Sequence, residues 1–474
     1  MANASDQVSA ALAAAGAPAV SEAHLGEWMR RQRWFAGKSR DIGQVAILDA
    51  VPISDGAEPL LLLIVEVRAA AGTHSLYQLL AGVSHDGDAG GREHAEICSQ
   101  DGTTIYDALT DEQQTASLGQ LIAADASIEH GPTTVAFRRS TTLALAPSPQ
   151  VRVLDAEQSN SSVVLDEAHI VKAFRRVEPG MNPEIEMLHF LDRHGFANLA
   201  PIEGHYDYRG ELLEASLGIM QRFVPEGRDG WELALGHLQD ATGDSLIASL
   251  RDLGTVTGSM HTVLASDLDD SEFAPERPAD EQVALLTATI DEQIERLFID
   301  LPERPELEPI ARRGEELRDR LSMLSHTGIG GRLIRIHGDF HLGQTLLTPS
   351  GWILIDFEGE PGRPLRERRR KRSPLRDVAG MLRSISYSTL AAEVLHGADV
   401  PRDWERRARD SFLEGYMEKI DTALLPAGAQ AIAKQLAMFE LEKVIYELRY
   451  ELENRPDWVP APVAGMVRLL DEAL

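Results

Sequence analysis

The chain has 474 residues, 43% of them hydrophobic, with 75 acidic against 46 basic side chains and a formal net charge of −29. That length supports roughly two to four domains, and that charge disfavours nucleic acid and anionic membrane as partners except at a local basic patch. The lone cysteine, Cys98, excludes an intramolecular disulfide and suits a reducing, cytoplasmic compartment.

Residues 1–18 are alanine-rich, carry Asp6 and lack a basic run, which reads as a frayed start and not as a signal peptide. The longest apolar run, residues 60–67, is too short to cross a bilayer. A helix is expected from Ser21, with Leu25, Trp28 and Met29 on its inner face, and it leads to Trp34 and Phe35 as core anchors. Residues 45–51, 60–68 and 75–83 read as three strands of a small antiparallel sheet. A Gly- and Asp-rich stretch then closes a cap subdomain at residues 1–92.

Residues 93–127 read as helical, and strands are expected at 133–138, 142–145, 151–154, 163–165 and 170–174. A polar turn at 155–162 precedes the strand that carries Lys172. A lysine inside an apolar strand must find an anion or reach solvent. Gln158, Ser159 and Ser161 are the expected phosphate contacts, although this turn has no glycine and so departs from Gly-rich phosphate loops. Glu186, in the first turn of the next helix, is the expected partner of Lys172, with Glu184 as the alternative. Strands at 202–208 and 217–223 lead into the segment 221–227, which leaves the sheet; in the kinase-like fold that residues 334–360 imply, this is the hinge, where Gln221 and Phe223 would meet a nucleotide base. These residues complete an amino lobe, 93–223, with an intermediate subdomain, and the mostly helical residues 224–474 form a second lobe.

The chemistry concentrates in residues 334–360. His337-Gly-Asp339 is followed five residues later by Gln344, then by a turn at 349–351 and an apolar run that ends at Asp356. Two short strands around a polar loop would bring the two carboxylates side by side. The spacing resembles the catalytic segment of protein-kinase-like phosphotransferases, in which H-x-D, an amide at plus five and a second Asp recur. Phosphoryl transfer needs a carboxylate to accept the proton of the attacking hydroxyl, and Asp339 suits it. It needs hard oxygen ligands for Mg²⁺, and Gln344 and Asp356 suit that. Gln stands where Asn is usual, and Asp356-Phe-Glu358 stands where protein kinases carry Asp-Phe-Gly, which favours small-molecule kinases. A metal-dependent hydrolase using His337, Asp339 and His341 is the rival, and a binding module without catalysis is a further one.

The run Arg366-Glu-Arg-Arg-Arg-Lys-Arg372 is the one dense basic stretch of an acidic chain. It reads as a solvated loop balancing nearby acids or as an anion site. Asp377, at the start of a helix, would pin the catalytic loop. On the last long helix Lys443, Tyr446, Glu447, Tyr450 and Glu451 share one face, with Trp458 just beyond. Aromatic rings with carboxylates and an amine are the parts of a carbohydrate site, and an amphipathic helix at the core's margin is the bland alternative.

Taken jointly, Arg31-Gln-Arg-Trp-Phe-Ala-Gly-Lys38, Asp155-Ala-Glu-Gln-Ser-Asn-Ser-Ser162, His337-Gly-Asp-Phe-His-Leu-Gly-Gln344, Asp356-Phe-Glu-Gly-Glu-Pro-Gly362 and Ser373-Pro-Leu-Arg-Asp377 resemble the actinobacterial maltokinases over almost the whole chain. The resemblance implies an α+β, bilobal, protein-kinase-like fold with an amino-terminal cap. It implies ATP- and Mg²⁺-dependent phosphorylation of maltose at the anomeric hydroxyl, on a route from trehalose to α-glucan, with trehalose synthase as an associate in some members. It makes Asp339 the base, Gln344 and Asp356 the Mg²⁺ ligands, and Lys172 with Glu186 the phosphate clamp. His337, Lys443, Tyr446, Glu447, Tyr450 and Trp458 are then sugar-site residues. A kinase of the same fold acting on glucosamine or an aminoglycoside is the alternative.

Overall fold

The computed structural model describes residues 4–471 apart from 19, 36–41, 56–57, 71, 86–94, 144, 155–159, 241 and 326–329. The chain forms two compact units, residues 1–186 with 200–225 and residues 187–199 with 226–474.

The first unit begins with helices α1 (Ala4–Ala14) and α2 (Glu22–Arg31), then strands β1 (Ile42–Ser54), β2 (Leu60–Ala69), β3 (His74–Ser84), β4 (Glu96–Gln100) and β5 (Thr103–Asp107). It continues through α3 (Glu112–Ala123), β6 (Ser127–His130), β7 (Thr133–Arg139), β8 (Val151–Leu154), β9 (Asn160–Leu165), β10 (His169–Phe174) and β11 (Arg176–Val177). Helix α4 (Pro183–Arg193) follows, then β12 (Ile202–Arg209) and β13 (Glu214–Arg222). One sheet has the order β1-β2-β3-β5-β4 with β11 added beside β3, and a seven-stranded sheet has the order β6-β7-β12-β13-β10-β9-β8.

Strand β2 shows why the two sheets belong together. Its sequence, LLLLIVEVRA, is apolar without alternation because both of its faces are covered. Leu61, Leu63 and Val65 join Trp28, Met29 and Phe35 in one core under α1 and α2. Leu60, Leu62 and Ile64 point the other way, into a second core with Phe137, Val163, Val171 and Leu217 of the seven-stranded sheet. Each buried leucine or valine contributes about 1.5–3 kcal/mol. Ser21 caps α2 as expected, accepting a hydrogen bond from the His24 N–H at 3.2 Å.

Three local expectations are corrected. Residues 4–14 are helical and not frayed, because Val8, Ala11 and Leu12 bury into the cap core. Residues 93–127 are not one helix: β4 and β5 form a hairpin before α3 begins. Asp101 and Gly102 both take positive φ, 52° and 82°, as a two-residue hairpin turn demands. Residues 142, 143 and 145 are irregular and form no strand.

The second unit holds β14 (Arg228–Asp229), α5 (Gly230–Gln239), α6 (Gly243–Leu264), α7 (Asp280–Ile299), α8 (Gly314–Ser325), β15 (Thr345–Thr348) and β16 (Gly351–Leu354). After these come α9 (Leu365–Arg368), α10 (Leu375–His396), α11 (Trp404–Lys419), α12 (Ala429–Asn454) and α13 (Pro460–Asp471). Glycines let α6 and α11 touch: a Cβ at Gly254 would lie 2.0 Å from the Phe412 carbonyl oxygen, and one at Gly415 1.9 Å from that of Arg251. That close approach brings Tyr416 of α11 against His261 of α6, and both are fully buried. Residues 333–336 form no strand. Single bridges tie Leu333 to Glu276 and Ile334 to Arg372. Among the described residues, no helix is long and apolar enough to cross a membrane.

Candidate active site

In the first unit, alternation along β10 sends Val171 and Ala173 into the core and Lys172 to the opposite face. The lysine is 6% exposed, and its Nζ donates to Glu184 Oε2 at 3.0 Å. Glu184, at the start of α4, is the alternative that the sequence offered beside Glu186. Asn182 fixes Glu184 in turn, its Oδ1 accepting the Glu184 N–H at 2.8 Å.

The remaining nucleotide expectations fare unevenly. Gln158 and Ser159 lie outside the described residues. The Ser161 hydroxyl accepts from Arg175 Nε at 2.7 Å. Gln221 spends its side-chain N–H on the Ala200 carbonyl at 3.2 Å, and the Phe223 N–H is spent on the Ala168 carbonyl at 2.8 Å. Those two donors serve the fold. The half-buried Phe223 ring carries the Arg152 guanidinium 5.5 Å from its centre.

In the second unit, the catalytic segment is held by one buried carboxylate. Asp377, near the start of α10, accepts the His337 N–H at 2.8 Å and the Gly338 N–H at 2.9 Å. Its Oδ2 also lies 3.0 Å from His261 Nε2, while His261 Nδ1 lies 3.1 Å from the Tyr416 hydroxyl. With the hydroxyl donating to Nδ1, Nε2 carries the proton that Asp377 accepts. Gly338 sits at φ 88°, a conformation open to glycine, and this turn presents Asp339. Lys443 of α12 meets that aspartate, Nζ to Oδ1, at 3.4 Å. Burial alone would lower the Lys443 ammonium, but Asp339, Glu360 and Glu447 outweigh it and hold the pKa above its ordinary value.

The second carboxylate follows β16. Asp356 is a non-glycine residue at φ 64°, a strained conformation of the kind that gathers at functional sites. The Ile355 N–H bonds the Gln344 carbonyl at 3.1 Å, and Gln344 Nε2 donates to Asp356 Oδ2 at 3.0 Å. An amide and a carboxylate, both oxygen-bearing and in contact, are the hard donor set that suits Mg²⁺ when phosphates complete the shell. His341 connects the two halves electrostatically. Burial, then the Lys443 and His337 charges, lower its pKa against the pull of both Asp339 and Asp356.

Two of the expected sugar-site residues turn inward. His337 is 1% exposed, packs between Phe340 and Phe357, and donates from Nε2 to the Ile355 carbonyl at 2.9 Å. It staples the two carboxylate-bearing turns, and its buried Nδ1 has no hydrogen-bond partner among the described residues. Glu447 turns inward and accepts from the fully buried Arg383 at 2.7 Å. Its Oε2 serves that guanidinium, whose burial would otherwise be costly. Glu451 also turns inward, to the Tyr387 hydroxyl at 2.6 Å.

The other expected residues cluster. Tyr446 and Tyr450 stack at 6.4 Å and are 46% and 37% exposed. The Arg455 guanidinium lies over Tyr450 at 5.3 Å and over Trp458 at 5.2 Å. Trp458 stacks on Tyr387 at 5.5 Å, with Trp231 of α5 6.4 Å away. Sequence reasoning missed Trp231 and Tyr387, because nothing in their spacing ties them to α12. Among the described residues, no group of three or more His, Cys, Asp or Glu side chains could hold a metal, which removes the ligand set the hydrolase reading needs.

Residues 28–111 match the maltokinase N-terminal cap domain, and residues 150–417 match the phosphotransferase enzyme family. A glucosamine kinase of Streptacidiphilus jiangxiensis is 28% identical over 344 residues, 69% of this chain and 75% of its own length. One of Mycolicibacterium smegmatis is 25% identical over 340 residues, 68% of this chain and 80% of its own. A glucosamine kinase solved with glucosamine, ADP and inorganic phosphate has the same fold, with a TM-score of 0.66 at 21% identity, over 94% of this chain and 98% of that one. The chain belongs to the phosphotransferase enzyme family, with a maltokinase N-terminal cap domain ahead of its kinase-like fold.

Proposed function

We propose that the chain is an ATP- and Mg²⁺-dependent sugar kinase whose acceptor is maltose, phosphorylated at its anomeric hydroxyl. The observation that carries the kinase reading is the pairing of Asp339 with Lys443 at 3.4 Å beside the Gln344–Asp356 pair at 3.0 Å. Asp339 accepts the proton of the acceptor hydroxyl as its oxygen attacks the terminal phosphorus of ATP, and ADP leaves. Gln344 and Asp356 would hold Mg²⁺, which would supply charge neutralisation at the phosphate oxygens. Lys172, steadied by Glu184, takes the phosphates, and the exposed faces of Tyr446, Tyr450 and Trp458 receive the sugar's C–H faces.

The cap match supports maltose, and so does local charge: Lys443 beside the base disfavours an ammonium group on the acceptor. Glucosamine is the second reading, supported by the names of the two relatives. Trehalose synthase is the partner, and the cytoplasm the compartment, that accompany the maltose reading. An ADP-release screen of maltose, glucose, glucosamine and aminoglycosides with Mg²⁺ separates the two. Asp339→Ala is expected to lose at least about a thousandfold in kcat while nucleotide still binds. Substantial residual turnover would remove Asp339 as the base.

A further inference from the structure

The basic run has an unexpected place. Main-chain hydrogen bonds between Ile334 and Arg372, at 2.9 and 2.7 Å, fasten its end to the catalytic segment. Arg363, Arg372 and Arg376 consequently line the same pocket as Asp339, Lys443 and Tyr446.

Most charges in this pocket are matched. Arg376 pairs with Glu442 at 2.7 Å, Arg363 with Glu360 at 2.6 Å, and Lys443 with Asp339 at 3.4 Å. Arg368 reaches Glu358 at 3.6 Å, and Asp377 is held by His261. Glu367 stands 4.0 Å from Arg363. Arg370 also lines the pocket but is exposed to solvent; the Arg372 guanidinium is different. It is half-buried, and among the described residues no carboxylate or carbonyl bonds it. The charges that act on it are those of Arg376 and Arg363, opposed by the weaker influence of Glu442 and Glu367. Burial, then those two arginines, push its pKa down to about 10. A cation confined among cations beside a catalytic carboxylate is stabilised by an anion.

We propose that this pocket is an oxyanion subsite adjoining the acceptor position, with Arg372 as its principal cation and Arg363 and Arg376 flanking it. Guanidinium groups fit the planar oxygens of carboxylate and the tetrahedral oxygens of phosphate. The oxyanion has two sources: a carboxylate carried by the acceptor sugar, or a separate phosphate ion. Only the first source rests on the sugar-kinase reading.

The test uses the full chain with ADP and Mg²⁺ present, so that the nucleotide site is filled. Inorganic phosphate is titrated in thermal melts of the wild type, Arg372→Gln, Arg372→Lys and the remote exposed control Arg296→Gln. In parallel, ADP release is followed with glucose and with glucuronic acid. A phosphate source predicts that phosphate stabilises the wild type and the control, that Arg372→Gln weakens its binding about 10- to 100-fold, and that Arg372→Lys recovers part of it. An acceptor carboxylate predicts that the same substitution lowers kcat/KM for glucuronic acid by that factor relative to glucose. Either result supports the subsite. If phosphate binds the wild type and Arg372→Gln alike, or not at all, and the acid-to-neutral ratio is unchanged, the subsite does not exist. Melts without ligand check that Arg372→Gln folds; if it does not, Arg372→Lys in the same two assays decides. A chain that phosphorylates no sugar yet shows the phosphate response refutes the kinase reading and leaves the subsite standing.

Discussion

Replacing Asp377 by asparagine keeps the size of the side chain and removes its charge. The carboxylate accepts the His337 N–H, the Gly338 N–H and the His261 ring N–H, and it is 2% exposed. An amide retains one acceptor oxygen and turns its NH₂ toward a donor, so at least one charge-assisted bond is lost and one buried donor is left unmatched. A bond to a charged group contributes about 1.5–3 kcal/mol, and a stranded buried donor costs about 1–3 kcal/mol. Together these give a loss of roughly 2.5–6 kcal/mol, and a melting midpoint lower by on the order of 5–10 °C. Turnover should fall about a hundredfold, because the turn that presents Asp339 loses its anchor, while KM for ATP changes little. Acidification separates this from a packing defect. Burial alone would raise the Asp377 pKa, but the hydrogen bond and charge of His261, then His337 and the Gly338 N–H, hold it below its ordinary value. Such a group adds stability that is present above its unfolded pKa of about 4 and lost as pH falls through the folded value. The asparagine variant should therefore lose less stability on acidification than the wild type. Circular-dichroism melts across pH and steady-state ADP release measure both quantities. A variant that melts within about 2 °C of the wild type and turns over within about threefold of it would show that Asp377 holds nothing.

Glu184→Gln should raise KM for ATP by about tenfold or more, because it uncharges the partner of Lys172, whereas Glu186→Gln should change it little; the reverse ranking in ATP titrations would restore Glu186. Trp458→Ala should raise KM for the sugar more than KM for ATP, by roughly five- to tenfold, and an equal effect on both would take the Trp458–Tyr387 stack out of the sugar site.

The legible part of this chain was the part written in local spacing. Asp339, Gln344 and Asp356 stand at intervals that a turn and two short strands require, and Asp377 opens a helix whose first residues are unmistakable. Alternation alone sends Lys172 away from the core. The bond from Lys172 to Glu184 was legible only as one of two alternatives, since Glu184 and Glu186 are two residues apart in the first turn of α4. Helical periodicity placed Lys443, Tyr446, Glu447, Tyr450 and Glu451 on one face, yet it could not reveal that Arg383 and Tyr387 on α10 draw both acids inward. The hairpin at residues 96–107 was written in Asp101-Gly102, a turn signal overridden by the helical composition around it.

The cap is sewn to the lysine-bearing strand. Immediately after β10, β11 pairs with β3; the Gln78 N–H bonds the Arg175 carbonyl at 2.9 Å, its side chain bonds the Phe174 carbonyl at 2.8 Å, and Arg175 meets Asp107 at 2.5 Å. A protein trimmed of its cap is thus expected to lose the splint of the polypeptide that carries Lys172. By the same seam, a protein that seats itself on the cap gains a lever on catalysis without ever touching the sugar.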